Sequence, residues 1–575
     1  MRRMKERTGQ VLLACLLSSM MLTAADNPPP QPSEIEQLKQ MLAEQQKQIN
    51  ELRKALAQQG SQRQASAATP AAAPVIPAVD PTPVSTFRSL GQVASTTGLL
   101  PPPAKVPVAM AIPAIPLPQA APPDATSSST NPCEADPGKT VPTFLRLGNV
   151  CIVPIGFMDL TPFWRDKNAA SSMGSNFGSI PFNNVPNGNL SELHFSEQNS
   201  RLGFRIDGNW KGTHFIGYNE FDFNGTSGAT NLATSNGAIV PRLRLYWVNA
   251  RKGKVEFLAG QSWSMLTPNR NGISALPGDL FYSQVIDINY IAGLTWTRQP
   301  GLRVLVHPDK HVTFGFSVEQ PDQYIGGSAG GSPIVLPSAL TGLTSTQLDA
   351  GQNVTLAGYL GQPTYTPDFI AKVALDYSRF HFEVAGLESN FKTTSLAAPF
   401  NSHTKAGGGV QVGFNVALTK NFRLISTDYL SNGGGRYLFG QAPDIIVRAD
   451  GSLSTVRSYG TVDGFEARVK NTMFYAYYGA DYIGRNVAID TNGKPIGYGY
   501  TGSANNQNRV INEFTFGFNQ TIWASPRYGA INVMGQYEYL MRSPWYVAAG
   551  SPKSAHDNTM FFDIRYTLPG AMPNF

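Results

Sequence analysis

Between Leu147 and Leu568 the chain alternates apolar and polar residues with a period of two, which means extended strands with two unlike faces. Val312, Phe314, Phe316 and Val318 alternate with Thr313, Gly315 and Ser317. Val410, Val412, Phe414, Val416 and Leu418 alternate with Gln411, Gly413, Asn415 and Ala417, and Met560, Phe562, Ile564, Tyr566 and Leu568 with Phe561, Asp563, Arg565 and Thr567. In the hairpin from Arg242 to Ser264, Leu243, Leu245 and Trp247 share one parity, and Arg242, Arg244 and Tyr246 the other. One face suits hydrocarbon. The other suits water, which lies outside a soluble sandwich but inside a membrane barrel.

The connections decide between these two. The pattern predicts strands at 148–164, 193–207, 212–223, 241–250, 254–263, 294–307, 311–319, 367–377, 380–390, 407–418, 421–430, 461–469, 472–483, 509–522, 528–541 and 558–568. Long segments at 165–192, 224–240, 264–293, 320–366, 391–406, 431–460, 484–508 and 542–557 alternate with tight turns such as Gly208–Lys211, Arg251–Gly253, Pro308–Lys310 and Thr419–Lys420. Long loops at one end and short turns at the other are the membrane-barrel rhythm, and an even strand count closes the cylinder. The expected fold is all-β: a transmembrane antiparallel barrel of about sixteen strands, wide enough for a water-filled bore. Composition agrees, with 15% charged and 10% aromatic residues against roughly 25% charged in soluble proteins. No apolar run long enough for a membrane helix follows the N-terminus.

Residues 1–25 read as a secretory signal, with a basic start, an apolar core from Val11 to Leu22 and small residues Thr23-Ala24-Ala25. The alternative, a lipoprotein site at Cys15, is disfavoured because most of the apolar core follows that cysteine. Arg2, Arg3, Lys5 and Arg7 against Glu6 place three of the six net positive charges in this segment, leaving about +3. That excess is too small and scattered for a nucleic-acid surface.

In 26–60, Ser33 and Glu36 have capping-box spacing, and Ile35, Leu38, Leu42, Gln45, Ile49, Leu52 and Leu56 form one heptad seam. A helix this short needs partner copies, so it predicts an oligomer. Residues 61–140 are a Pro/Ala-rich linker, able to reach many tens of ångströms at ~3 Å per residue; tethering, contact with peptidoglycan or other periplasmic components, and spacing are open uses. The barrel domain is expected at 141–575. Cys133 and Cys151 form an even pair for a disulfide, though sequence leaves their distance open.

With the apolar parity assigned to outer-membrane lipid, the opposite parity lines the bore. It brings Arg201, Arg205 and Asp207 inward, with His214, Tyr218, Glu220 and Asp222 beside them, then Arg242, Arg244, Glu256, Arg303 and Arg565. Arginine keeps its charge and offers a planar fork to carboxylates, so a stripe of arginines favours small anions. The other reading is that these arginines pair with Glu220, Asp222 and Glu256 to brace the wall; one arginine can do both. Arg298 shares parity with Trp296 and Leu302, so a bulge or a strand-end position is needed to place it. The long connection Leu266–Gly293 is either a constriction folded into the bore or a surface loop. No metal-ligand spacing, nucleophile elbow or phosphate-binding loop appears, so neither enzyme chemistry nor a cofactor is indicated.

NSRLGFRID (199–207), PRLRLYWV (241–248), LAGQSWS (258–264) and RQPGLRV (298–304), behind a coiled coil and linker, resemble the DcaP-type outer-membrane porins. The resemblance is sharpest over 199–304, with layout alone beyond 320. It implies a homotrimer of sixteen-stranded barrels with an N-terminal coiled coil, taking up small, often anionic solutes such as dicarboxylates. Only Arg201, Arg205, Arg242, Arg244 and Arg303 match segment by segment. The linker is longer than the family suggests, and the last strand is followed by Pro569 and GAMPNF. The remaining alternative is a structural tether or adhesin whose barrel only anchors the N-terminal segment.

Overall fold

The computed structural model describes residues 144–569 apart from 170–172, 226–239, 281–283, 322, 327–332, 339–353, 357–358, 364–365, 396–398, 440 and 526–527. The expected signal, coiled coil, linker and Cys133 lie outside the described residues. The main sheet has twenty hydrogen-bonded segments. Three of them (Leu145–Leu147, Val354–Leu356 and Tyr359–Pro363) extend its rims, and two are pieces of one strand, which leaves sixteen wall strands.

These are β1 (Val150–Arg165), β2 in two pieces (Glu192–Ser196 and Arg201–Trp210), β3 (Thr213–Gly225), β4 (Val240–Lys252), β5 (Val255–Trp263), β6 (Arg298–Val306), β7 (Val312–Glu319) and β8 (Asp368–Tyr377). The other half is β9 (Phe380–Ser395), β10 (Ser402–Thr419), β11 (Phe422–Asn432), β12 (Arg457–Val469), β13 (Thr472–Ile483), β14 (Asn508–Ser525), β15 (Gly529–Pro544) and β16 (Ala555–Thr567). Each pairs antiparallel with its neighbours in chain order. β1 pairs with β2 on one side and with β16 on the other, from Phe157↔Thr567 to Arg165↔Thr559. The cylinder is closed, so each of the sixteen wall strands is paired on both sides.

The parity reading holds through most of the wall. Leu202, Phe204, Phe314, Phe316, Met560, Phe562 and Ile564 are exposed on the outside, while Asp207, Glu220, Glu256, Arg303 and Asp563 are buried on the inside. An apolar belt of this size is a lipid-facing surface.

Two predicted loops are shorter than expected: 391–406 contracts to 396–401 and 542–557 to 545–554. β9 and β10, at 16 and 18 residues, run past the bilayer, which needs only about 9–11 tilted residues. The sixth strand starts at Arg298 rather than 294, because Thr297 has a φ of 107° and breaks the extended run.

The larger correction is in β4. Glu220 pairs with Leu245 but Phe221 with Leu243, so Arg244 is an extra, bulged residue. A bulge reverses the side-chain parity beyond it. Leu245 and Trp247 are therefore 0% and 4% exposed inside the barrel, while Tyr246 and Val248, at 62% and 50%, meet lipid. Strict alternation had assigned Leu245 and Trp247 to lipid. Trp247 stacks on Tyr218, with ring centroids 5.2 Å apart. Across the hairpin, Gly260 has a φ of 127°, and a Cβ there would lie 2.3 Å from the Tyr246 carbonyl oxygen, so only glycine fits.

At the end bearing the long loops, Ile325, Phe391, Ile445, Ile446, Val447, Ile483 and Tyr498 form an apolar cluster joining several connections. Asp444 is central to it: its carboxylate accepts the backbone N–H of Tyr324 and of Arg436, both at 3.0 Å.

Candidate functional site

Residues 264–280 and 284–297, between β5 and β6, fold into the bore. Most of this backbone has no ladder of its own, and buried N–H groups need acceptors. The wall supplies them. Met265 donates to Glu319 on β7 at 2.8 Å, and Asn269 to Glu383 on β9 at 3.1 Å. Gly272 donates to both oxygens of Asp376 on β8 at 3.0 Å. On the far side, Ile286 donates to Gln536 on β15 at 2.7 Å and Ala292 to Glu513 on β14 at 2.8 Å. Arg270 forks onto Glu466 of β12 at 2.6 and 2.9 Å, and the Arg270 carbonyl accepts from Asn415 on β10 at 2.7 Å. Of the two sequence readings of this connection, the constriction is the one realised.

Charge inside the loop is organised by burial. Burial pushes the Asp279 and Asp287 carboxyls above their ordinary value, against hydrogen bonds from Ser274 and Asn289 that favour the ionised form. For Arg270 burial works against the cation, but Glu466 outweighs it and holds the guanidinium charged.

The arginines predicted for the bore all face it, and most are paired. Arg205 donates to Asp207 at 2.7 Å, and His214 reaches the same carboxylate at 3.2 Å. Arg242 forks onto Asp222 at 3.0 and 2.7 Å. Arg244 bridges Glu220 at 2.8 Å and Asp222 at 2.7 Å, a double engagement made by the residue at the bulge. Arg565 binds Asp159 and Asp563 at 2.9 and 3.0 Å and covers the Phe157 ring at 3.9 Å. Arg303 is buried and donates to the Trp263 carbonyl at 2.7 Å. Bracing therefore describes Arg205, Arg242, Arg244 and Arg565.

Arg201 differs. Among the described residues it pairs with no carboxylate; one Nη donates to the Tyr290 hydroxyl at 3.4 Å, and its Nε is buried without an acceptor. β2, β3 and β4 thus set Arg201, Arg205, Arg242 and Arg244 against Asp207, Glu220 and Asp222. Within this cluster the guanidinium without a carboxylate partner is Arg201; Arg303 on β6 likewise has none among the described residues. Arg242 also keeps 32% of its side chain accessible, so the cluster is open to the bore.

Tyr290, on the constriction loop, was not legible as a site residue, since nothing periodic marks it. Arg244 donates to its hydroxyl at 3.2 Å, and its backbone has a φ of 65°. Burial alone would raise the phenol, but Arg201 and Arg244 together hold it below the usual tyrosine value. Arg298 also belongs here. It opens β6, a strand-end position rather than a bulge, and turns inward to lie 5.6 Å from the Trp263 ring. Cys151 is buried and disulfide-bonded, with its partner outside the described residues.

No protein-family model and no curated protein matches the sequence. Solved structures do match. The outer membrane channel DcaP of Acinetobacter baumannii superposes with a TM-score of 0.53 at 17% identity, over 74% of this chain and 100% of that one. The resemblance read from the sequence is thus realised as a shared fold. An anion-selective porin from Comamonas acidovorans matches at 11% identity and a TM-score of 0.39, covering 73% of this chain and 99% of that one. Salmonella typhi OmpF, in complex with daunomycin, matches at 9% and 0.39, covering 74% and 100%. The fold is that of a porin-like outer-membrane channel.

Proposed function

We propose that this chain is an outer-membrane porin that passes small hydrophilic solutes by diffusion and favours anions, dicarboxylates among them. The supporting observation is Arg201: a guanidinium on the bore wall, facing the constriction loop, with no carboxylate partner among the described residues. Desolvated on one side and charged, it lowers the electrostatic barrier for an anion passing the loop. The braced arginines hold the wall around it in a fixed shape.

The assembly we propose is a homotrimer joined through the 26–60 coiled coil, with that segment and the linker on the periplasmic side. Planar-bilayer reversal potentials in a potassium chloride gradient test the pore reading. Anion preference is expected, and cation preference would contradict it. Absence of current, persisting after removal of 26–140, would favour the tether.

A further inference from the structure

Tyr290 is placed with unusual care for a loop residue. Its backbone adopts the left-handed region, sparsely populated by residues with a Cβ. Its N–H donates to the Asp287 carbonyl at 3.0 Å, and the Asp287 carboxylate in turn accepts from the backbone N–H of Asn289 at 2.7 Å and of Ser175 at 3.0 Å. Its ring meets the Trp263 ring at 5.9 Å, near edge-on. These contacts deliver one oxygen atom to the arginine wall, where Arg201 and Arg244 both donate to it.

A neutral phenol is a modest acceptor for two guanidiniums. A carboxylate offers two charged oxygens and bonds a guanidinium roughly twice as strongly. Arg244 already holds Glu220 and Asp222, whereas Arg201, among the described residues, has the phenol and the face of the Phe157 ring at 5.2 Å but no carboxylate. The position of the Tyr290 oxygen is therefore one that a small carboxylate can take over with a gain at Arg201.

We propose that Tyr290 is an internal stand-in for the solute: its hydroxyl occupies the place on Arg201 and Arg244 that a solute carboxylate takes during passage, and the two compete. This rests on the anion-porin reading above. Competition keeps the bare site satisfied and binding weak. A channel needs that, because a solute held too tightly does not leave. Tyr290 is then a specificity-determining residue, and the solute end it admits is a single carboxylate, with Arg201 as its chief ligand.

The test uses the full chain in planar bilayers with succinate as the probe, reading the concentration for half-maximal current block and the dwell time of each block. Relative to wild type, Tyr290→Phe removes the competing oxygen and keeps the ring. It should tighten succinate block about five- to tenfold, the net weight of one ordinary hydrogen bond. In an Arg201→Gln background the same substitution should change block less than twofold. Tyr290→Leu provides a second variant with the same expected direction should the ring substitution perturb loop packing. Weaker or unchanged block in both Tyr290 variants, with the wild type still anion-preferring, would overturn the proposal and make the hydroxyl a solute ligand or a structural contact. A cation-preferring wild type would overturn the anion-porin reading itself, and this proposal with it.

Discussion

Arg270→Ala should loosen the constriction without loosening the barrel. Arg270 is half-buried, with 15% of its side-chain surface accessible, and Glu466 is buried; two bonds at 2.6 and 2.9 Å join them. Two unit charges ~4 Å apart in an effective dielectric of ~20 attract by roughly 4 kcal/mol. Removing one partner of a buried pair costs about 3–5 kcal/mol, because the other charge is stranded. Tyr477 still donates to Glu466 at 2.8 Å and some water reaches the site, so the lower end, about 3 kcal/mol, applies. That energy falls on the loop. The wall strands keep their ladders, so the thermal unfolding of the barrel should shift little. At about 1.4 kcal/mol per factor of ten, a loop segment detached a small fraction of the time becomes detached about a hundredfold more often. Single-channel recordings should then show flicker to a higher conductance level, absent in wild type and suppressed in the swapped pair Arg270→Glu with Glu466→Arg. Unchanged conductance and noise in Arg270→Ala would refute the idea that this ion pair holds the loop across the bore.

Three further outcomes follow from other parts of the molecule. Tyr246→Arg should lower the urea midpoint of the barrel in lipid vesicles by the equivalent of about 2 kcal/mol, the cost of a charge facing lipid near mid-depth; an unchanged midpoint would restore the strict alternation that the Arg244 bulge replaces. Burial, opposed by Arg436, pushes Asp444 up to about 7, so the folded cap retains a proton that the unfolded chain loses near 3.8. Its stability should be greatest at acid pH and fall as pH rises toward 7, by about 4 kcal/mol at most. Hydrogen exchange at the Tyr324 and Arg436 amides should therefore speed up between pH 5 and pH 8 beyond its intrinsic pH dependence and lose that excess in Asp444→Asn; identical pH profiles in the two proteins would contradict this. For the disulfide, peptide mapping without reductant should recover Cys133 joined to Cys151, whereas a pairing of Cys151 with Cys15 or between chains would contradict it.

The strands were legible because a membrane barrel imposes one rule on each residue of its wall: apolar outward, polar inward, at period two. Val312–Glu319 is found within one residue of where alternation places it. What alternation cannot show is a single inserted residue. Arg242 to Leu245 alternate polar and apolar, and Tyr246-Trp247-Val248 then offers no polar face to read, yet Arg244 is bulged and the second half of the run faces the other way. The signal available was chemical rather than periodic: Glu220 and Asp222 lie inward on the neighbouring strand, and one extra residue lets both Arg242 and Arg244 reach them. The paired arginines were legible for the same reason as the strands. Tyr290 and the inward turn of Arg298 were not, because the loop is positioned by distant wall carboxylates such as Glu513 and Asp376, and no local pattern encodes those meetings.

The central claim is that the pore prefers anions because Arg201, facing the constriction loop, pairs with no carboxylate among the described residues. Reversal potentials of wild type and Arg201→Gln, measured side by side in a potassium chloride gradient, test it directly. The account predicts anion preference in the wild type and its loss, or a severalfold reduction in the chloride-to-potassium permeability ratio, in Arg201→Gln. Equal permeability ratios in the two proteins, or cation preference in the wild type, would contradict it.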